Sequence, residues 1–253
     1  MLPPDDPSHT ARVRIFTPGG ELQFAGHPTV GTAHVLASVG SVPLTGSETR
    51  IVFEEGVGPV PVVIRATNGK PTFAQLTASK LPEIGPPPPP RETLAAMLSL
   101  TSADVLDGEY SSAGISCGTP FLFVPLRDRA AVGKSRIKTD LWESALGTYY
   151  TDKVMVYSLD GELAGSDVHA RMYAPGIGVQ EDPATGSACV ALGGYLADRD
   201  PKRDGTLRWI VEQGFEMGRP SILEVEANKK DGKVTAARVG GKTVLVCEGT
   251  MTL

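Results

Sequence analysis

The sequence predicts an α+β fold of two pseudo-symmetric domains, each a curved, mostly antiparallel sheet wrapped around a central apolar helix. Three observations carry this reading. The first is a duplication: Arg14-Ile15-Phe16-Thr17-Pro18-Gly19 is followed by His27-Pro28-Thr29-Val30-Gly31-Thr32-Ala33, and Arg171-Met172-Tyr173-Ala174-Pro175-Gly176 by Asp182-Pro183-Ala184-Thr185-Gly186-Ser187-Ala188. The copies lie about half a chain apart, too far for a solenoid repeat and right for two ordinary domains. The second is a pair of segments, 28–39 and 183–197, without a charged residue apart from a possible charge on His34; a helix with no polar face is normally enclosed on all sides. The third is the period-two alternation of most of the remaining chain.

The elements follow in order. Strands are expected at residues 11–17 and 21–24, then the first apolar helix at 28–39, then strands at 49–54, 61–66 and 72–78. The run Pro86 to Pro90 cannot join a helix or a central strand and marks the boundary between domains. Helices at 91–99 and 139–146 alternate with strands at 110–116, 121–125, 153–159 and 168–174. The second apolar helix spans 183–197, with Gly186, Gly193 and Gly194 each costing roughly 1 kcal/mol against alanine, an expense that close approach of neighbouring strands would offset. Strands at 207–213, 222–226, 234–239 and 243–248 complete the chain, the last returning to the first half. The expected division is 1–86 plus 240–253 for one domain and 91–239 for the other.

Composition narrows the function. Apolar and charged fractions of 41% and 21% are those of a globular protein, and a net charge of -5 supplies no positive field for nucleic acid or an anionic membrane. Cys117, Cys189 and Cys247 are odd in number and lack C-x-x-C spacing, which suits a reducing cytosol. Without a long apolar run or a basic leader, the chain reads as soluble and cytoplasmic. A small molecule is the partner left.

The chemistry is expected where the apolar helices begin. Free backbone N–H groups at the positive end of a helix bind a carboxylate readily. Proline at the first helical position leaves no amide unsatisfied, Gly31-Thr32 and Gly186-Ser187 would admit a ligand in the first turn, and the hydroxyls add donors. His27 and Asp182 then occupy matching positions, one titratable group at each entry, facing a shared cleft. Simple N-capping by Asp182 is the bland alternative, but His27 caps poorly, and the two together favour a site. Other constellations fail. Ser187 is not in a G-x-S-x-G elbow, and His27 with His34 lacks the acidic third ligand a metal site needs. His9 and His169 read as surface or core histidines, and Cys189 as a small core residue.

Ala25-Gly26-His27-Pro28-Thr29 with Arg14-Ile15-Phe16-Thr17-Pro18, Glu181 through Ala188, and Gln213 through Ser221 together resemble the signature segments of phenazine-biosynthesis (PhzF-like) isomerases, in order along essentially the whole chain. The resemblance implies the diaminopimelate-epimerase fold, an active site between the domains, a homodimer, and no metal, nucleotide or pyridoxal cofactor. It places ligand-binding and proton-handling positions on Gly26, His27, Asp182 and Ser187. Related racemases carry a cysteine at each helix entry; His27 and Asp182 stand there here. Family members also carry an Asn-Leu-Ser-Glu-Thr-like segment, whose glutamate is the principal acid/base, ahead of the stretch matching Leu2 to Pro7, and no residue present matches that glutamate. The expected function is therefore a cofactor-independent isomerase or epimerase that moves a proton between carbons of a small carboxylate. The alternative is a non-catalytic carboxylate-binding protein. A first half lacking that segment should be the less complete of the two, with part of its apolar helix exposed.

Overall fold

The computed structural model describes residues 1–250. In the first half, the short strand β1 (Ala11–Arg12) lies parallel to β4 (Glu48–Glu55), and β4 continues antiparallel into β5 (Gly58–Thr67) and β6 (Lys70–Thr77). A separate hairpin, β2 (Ile15–Thr17) with β3 (Gly20–Leu22), feeds helix α1 (Gly26–Ser38). Alternating burial along β4 shows why these residues form a half-buried strand: Thr49, Ile51, Phe53 and Glu55 face inward while their neighbours face out.

The chain crosses to the second half at β7 (Glu83–Ile84), which pairs with β8 (Ala113–Ser116). The polyproline run thus follows the crossing, and only then come α2 (Arg91–Met97), β9 (Pro120–Pro125), α3 (Arg129–Lys134), α4 (Thr139–Leu146), β10 (Val154–Ser158), β11 (Val168–Ala174) and β12 (Val179–Asp182). Helix α5 (Gly186–Arg199) precedes the three long strands β13 (Gly205–Gln213), β14 (Ser221–Lys230) and β15 (Lys233–Gly241). Strand β15 pairs with both β14 and β6, which joins the halves into one continuous sheet ordered β1-β4-β5-β6-β15-β14-β13-β11-β10-β9-β8-β7, with β12 attached beside β11. Most pairs are antiparallel; β1 with β4, β9 with β10, and β11 with β13 are parallel.

One apolar cluster runs through both halves and takes in both α1 and α5. A second lies on the outer side of β9 and β10, where Leu94, Met97, Val132, Trp142 and Leu146 of α2, α3 and α4 cover Leu122, Val124, Val154 and Val156. Strands β10 and β11 are consequently buried at every position; β10 reads as a nearly continuous apolar run, whereas β11 buries His169 and Arg171 on one face. No helix of the described residues is long and apolar enough to cross a membrane.

The two central helices differ. Twelve residues of α5 are buried and its glycines are explained by contact: a Cβ on Gly193 would lie 2.5 Å from Val225 Cγ1, and one on Gly194 would lie 2.1 Å from Pro82 Cγ. Its C-terminus is closed by buried Lys229, whose Nζ donates to the carbonyls of Ala197 and Asp200 at 2.8 Å each. Only seven residues of α1 are buried; His27, Val35 and Ser38 are exposed, as is Val39 at its end. Enclosure on all sides therefore holds for α5 and fails for α1, which keeps one side open. Residues 243–248, expected as a strand, have no regular structure: the strand ends at Gly241, and Val244, Leu245 and Val246 are exposed. Of the span 240–253 assigned to the first domain, residues 251–253 lie outside the described residues.

The duplication is visible in the structure, in a different register from the one the motif suggests. Arg14 grips Glu21 through Nε and one terminal nitrogen at 2.8 Å each, seven residues apart; Arg171 grips Glu181 identically, ten residues apart. Each guanidinium also lies over an aromatic ring, Phe16 in one half and Tyr173 in the other. The turn of the second copy is longer, and after it the helices α1 and α5 start at Gly26 and Gly186. The structural equivalents are thus Gly26 with Gly186, His27 with Ser187, and Leu22 with Asp182. Pro28 lies inside α1, whereas Pro183 precedes α5. The Pro-x-x-Gly motif had aligned His27 with Asp182; that pairing is corrected here.

Candidate functional site

The two helix entries meet at Gly26 and Gly186. A Cβ on Gly26 would sit 2.3 Å from Gly186 Cα, and one on Gly186 would sit 2.8 Å from Gly26 Cα, so each entry occupies the space that a side chain on the other would fill. The obstructing atoms are backbone and cannot rotate away. Gly26→Ala is therefore expected to force the entries apart, lowering stability by at least about 1–3 kcal/mol and weakening binding of small carboxylates. A urea midpoint and m-value within error of the parent would contradict this packing.

On one side of this contact lies a cavity of about 240 Å³. Ile15, Leu22, Phe24, Phe121, Met172 and Ile177 give it an apolar body, and Thr119, Lys153, His27, Asp182, Thr185 and Ser187 its polar points. An apolar body with several convergent polar points is the usual lining of a small-molecule site. A wider groove on the other side, also touching Gly26, His27 and Gly186, is walled by β14 and β15.

His27 reaches across from the first half. Its Nδ1 is 2.7 Å from the carbonyl oxygen of Ala184; a carbonyl only accepts, so Nδ1 carries a proton, and Nε2 is the ring nitrogen left without a partner among the described residues. The same Nδ1 stands 3.9 Å from Asp182 Oδ2. Asp182, mostly buried, ends β12. Its Oδ2 accepts from the Thr185 hydroxyl at 2.6 Å rather than from an α5 amide, and Thr185, the N-cap of α5, makes no capping bond with its own side chain. Asp182 thus does not cap α5, and the bland alternative for it falls. The turn between them is held by Gln213, fully buried at the end of β13. Gln213 Oε1 accepts the Thr185 N–H at 3.0 Å, and its Nε2 donates to Thr185 Oγ1 at 2.9 Å and to the Asp182 carbonyl. Gly214 follows at φ +82°, where a Cβ would strike the Arg219 and Pro183 carbonyls.

Of the residues expected at the site, Gly26, His27, Asp182, Gly186 and Ser187 come together. Gly31 and Thr32 do not: because α1 begins at Gly26, they lie in its second turn and line neither hollow. Cys189 is fully buried, and desolvation, then the nearby Asp182 charge, push its thiol well above the usual range, which suits its reading as core. Among the described residues no three His, Cys, Asp or Glu side chains cluster as a metal site would require.

Sequence reasoning missed two features. Glu55, at the end of β4, lies buried under the α1 entry, where it receives the Ala25 amide and meets Thr29 Oγ1. Thr29 Oγ1 is also 2.6 Å from the Ala25 carbonyl oxygen. One hydroxyl proton cannot serve both acceptors, so the geometry is satisfied when Glu55 is the neutral acid, donating to Thr29 while Thr29 donates to Ala25. Burial, only partly opposed by the Thr29 and Ala25 hydrogen bonds, pushes its pKa up to about 7. The second feature is a buried charge network. His169 sits between Glu212 (Nδ1, 2.9 Å) and Glu216 (Nε2, 2.8 Å), next to the Arg171–Glu181 fork. Burial works against the charge on His169, but bonds to Glu216 and Glu212 outweigh it and raise its pKa. Burial likewise opposes ionisation of Glu212 and Glu216, yet their bonds, to amides and to His169, hold both below the usual value. This network anchors the residues flanking Gln213 and Asp182. Spacing could not show it, because its members come from β11, β12, β13 and the turn after β13.

Comparison with known proteins gives the family and the fold. The chain is 36% identical to an uncharacterised isomerase of Mesorhizobium japonicum over 99% of its own length and 83% of the relative's. It is 34% identical to trans-2,3-dihydro-3-hydroxyanthranilate isomerase of Pseudomonas aeruginosa, covering 94% and 78% of the two chains. Its fold is that of the PhzF-family phenazine biosynthesis protein of Bacillus anthracis, with a TM-score of 0.79 at 24% identity over 91% of this chain and 77% of that one. With residues 1–249 matching the family described as phenazine biosynthesis-like protein, the chain belongs to the PhzF-like isomerases.

Proposed function

We propose that the protein isomerises a small cyclic carboxylate by moving a proton between carbons, in the apolar cavity between its two helix entries. The observation that carries this reading is the pairing of Asp182 and His27 at 3.9 Å, one group from each half, beside the amides of the α5 entry. In such a step a base removes a proton from a ring carbon, the electron pair shifts along the conjugated system toward the carboxylate, and an acid returns a proton to another carbon. Atoms and charge balance without an oxidant. The developing negative charge is stabilised by N–H groups at the α5 entry and by the Ser187 hydroxyl. His27 Nε2 and the Asp182 carboxylate are the groups that hold or pass the proton, and the apolar walls orient the ring.

The substrate class is that of the Pseudomonas aeruginosa relative, a hydroxylated dihydroanthranilate. A second reading rests on one observation: among the described residues Asp182 is the one carboxylate lining the cavity, and a site with a single carboxylate suits a protein that holds a small carboxylate without transforming it. The test is incubation of trans-2,3-dihydro-3-hydroxyanthranilate in D2O. An isomerase incorporates deuterium at carbon, and its Asp182→Asn variant does not. Binding of 3-hydroxyanthranilate with no deuterium incorporation by the parent protein would favour the binder.

A further inference from the structure

We infer that Gln213 is a positioning residue that, through Thr185, dictates which oxygen of Asp182 transfers the proton. The inference rests on the isomerase reading and deepens it. Hydrogen bookkeeping fixes the direction of every bond. The Thr185 amide needs an acceptor, so the oxygen of the Gln213 carboxamide must face it and the nitrogen must face the other way. Both protons of that nitrogen are then committed, one to the Asp182 carbonyl and one to Thr185 Oγ1. Because Oγ1 already accepts from Gln213, its single proton is free to point only at Asp182 Oδ2, 2.6 Å away. The chain runs one way, Gln213 to Thr185 to Asp182, and every donor in it is committed.

The consequence concerns Asp182. Oδ2 is tied to a donor, while Oδ1 makes no hydrogen bond among the described residues, although the carboxylate lines the cavity. Oδ1 is the oxygen that meets the substrate. The Gln213 carboxamide also spans the turn from Asp182 to Thr185, the N-cap of α5, so one buried group sets both the proton-transferring oxygen and the residue from which the anion-binding helix entry starts. Glu212, the neighbour of Gln213, and Glu216 in the turn that follows are themselves anchored by His169, which keeps Gln213 from sliding along its strand.

Thr185→Val keeps the shape of the side chain and removes the link. It is expected to lower kcat about 10²-fold, the scale of a misplaced reacting group, while KM changes less than about threefold; Thr185→Ser, which restores the hydroxyl, is expected to recover most of that loss. Gln213→Glu, unable to donate to either partner, should behave like Thr185→Val. A loss shared equally between kcat and KM, or no recovery by Thr185→Ser, would overturn the positioning role. If the parent protein proves inactive, the isomerase reading fails on its own, and the chain of bonds is still tested by crystal structures: Thr185→Val must show Asp182 rotated from its place in the parent, and an unmoved carboxylate refutes the inference.

Discussion

Asp182→Asn should reduce isomerisation about 10²–10⁴-fold, the contribution of a positioned acid or base, while affinity for 3-hydroxyanthranilate changes only a few-fold. The asymmetry follows from the division of labour at the α5 entry. In the proposed site the ligand's carboxylate rests on backbone amides and the Ser187 hydroxyl, which the substitution leaves alone. The amide of asparagine can still accept from Thr185, so the turn held by Gln213 should survive, but it cannot take or give a proton at neutral pH. Single-turnover kinetics and calorimetric titration of the same preparation separate the two effects. Equal losses in both would mean that Asp182 serves binding, and that the proton is carried elsewhere.

The second large effect belongs to stability. Glu55 has a folded pKa of about 7 against an ordinary value of 4.5. Between those two values the folded chain holds a proton that the unfolded chain has released, so stability declines as pH rises through the interval. At about 1.4 kcal/mol per unit the decline is roughly 3 kcal/mol. Glu55→Gln reproduces the neutral acid, accepting from Ala25 and donating to Thr29, without the ability to ionise. The variant and the parent should be equally stable at pH 4 and diverge to about 3 kcal/mol in favour of the variant above pH 8. Other groups cancel in the comparison. His169, with its raised pKa, contributes stability that is present below its unfolded pKa and fades as pH rises through the folded one; Glu212 and Glu216, with lowered values, contribute stability that is lost as pH falls through theirs. Urea denaturation across that range measures the difference, and a constant gap would show that Glu55 ionises without penalty.

What the sequence by itself determined is the content that depends on local pattern. The two apolar helices, the alternating strands around them, the Arg-x-aromatic strands and the His27 and Asp182 neighbourhoods all follow from periodicity, turn chemistry and composition within a few residues. The signature segments added the family, because three long motifs in order leave little room for coincidence. Short polar strands were beyond reach: β12, Val-Gln-Glu-Asp, has no alternating apolar face and exists because β11 offers it an edge.

Tertiary structure alone decided the register of the duplication, the place of the first turn, and every group whose role depends on a partner from another strand. A Pro-x-x-Gly motif fits equally inside a helix, as at Pro28, or ahead of one, as at Pro183, and only the contact of Gly26 with Gly186 shows which is which. Gly31 and Thr32 left the site for that reason. Glu55, His169 and Gln213 carry no local signal, since a glutamate in an alternating strand or a glutamine at a strand end reads as solvated. Their charge and hydrogen-bonding states are set by desolvation and by partners as many as 47 residues away, and those energies exist only once the chain has closed around them.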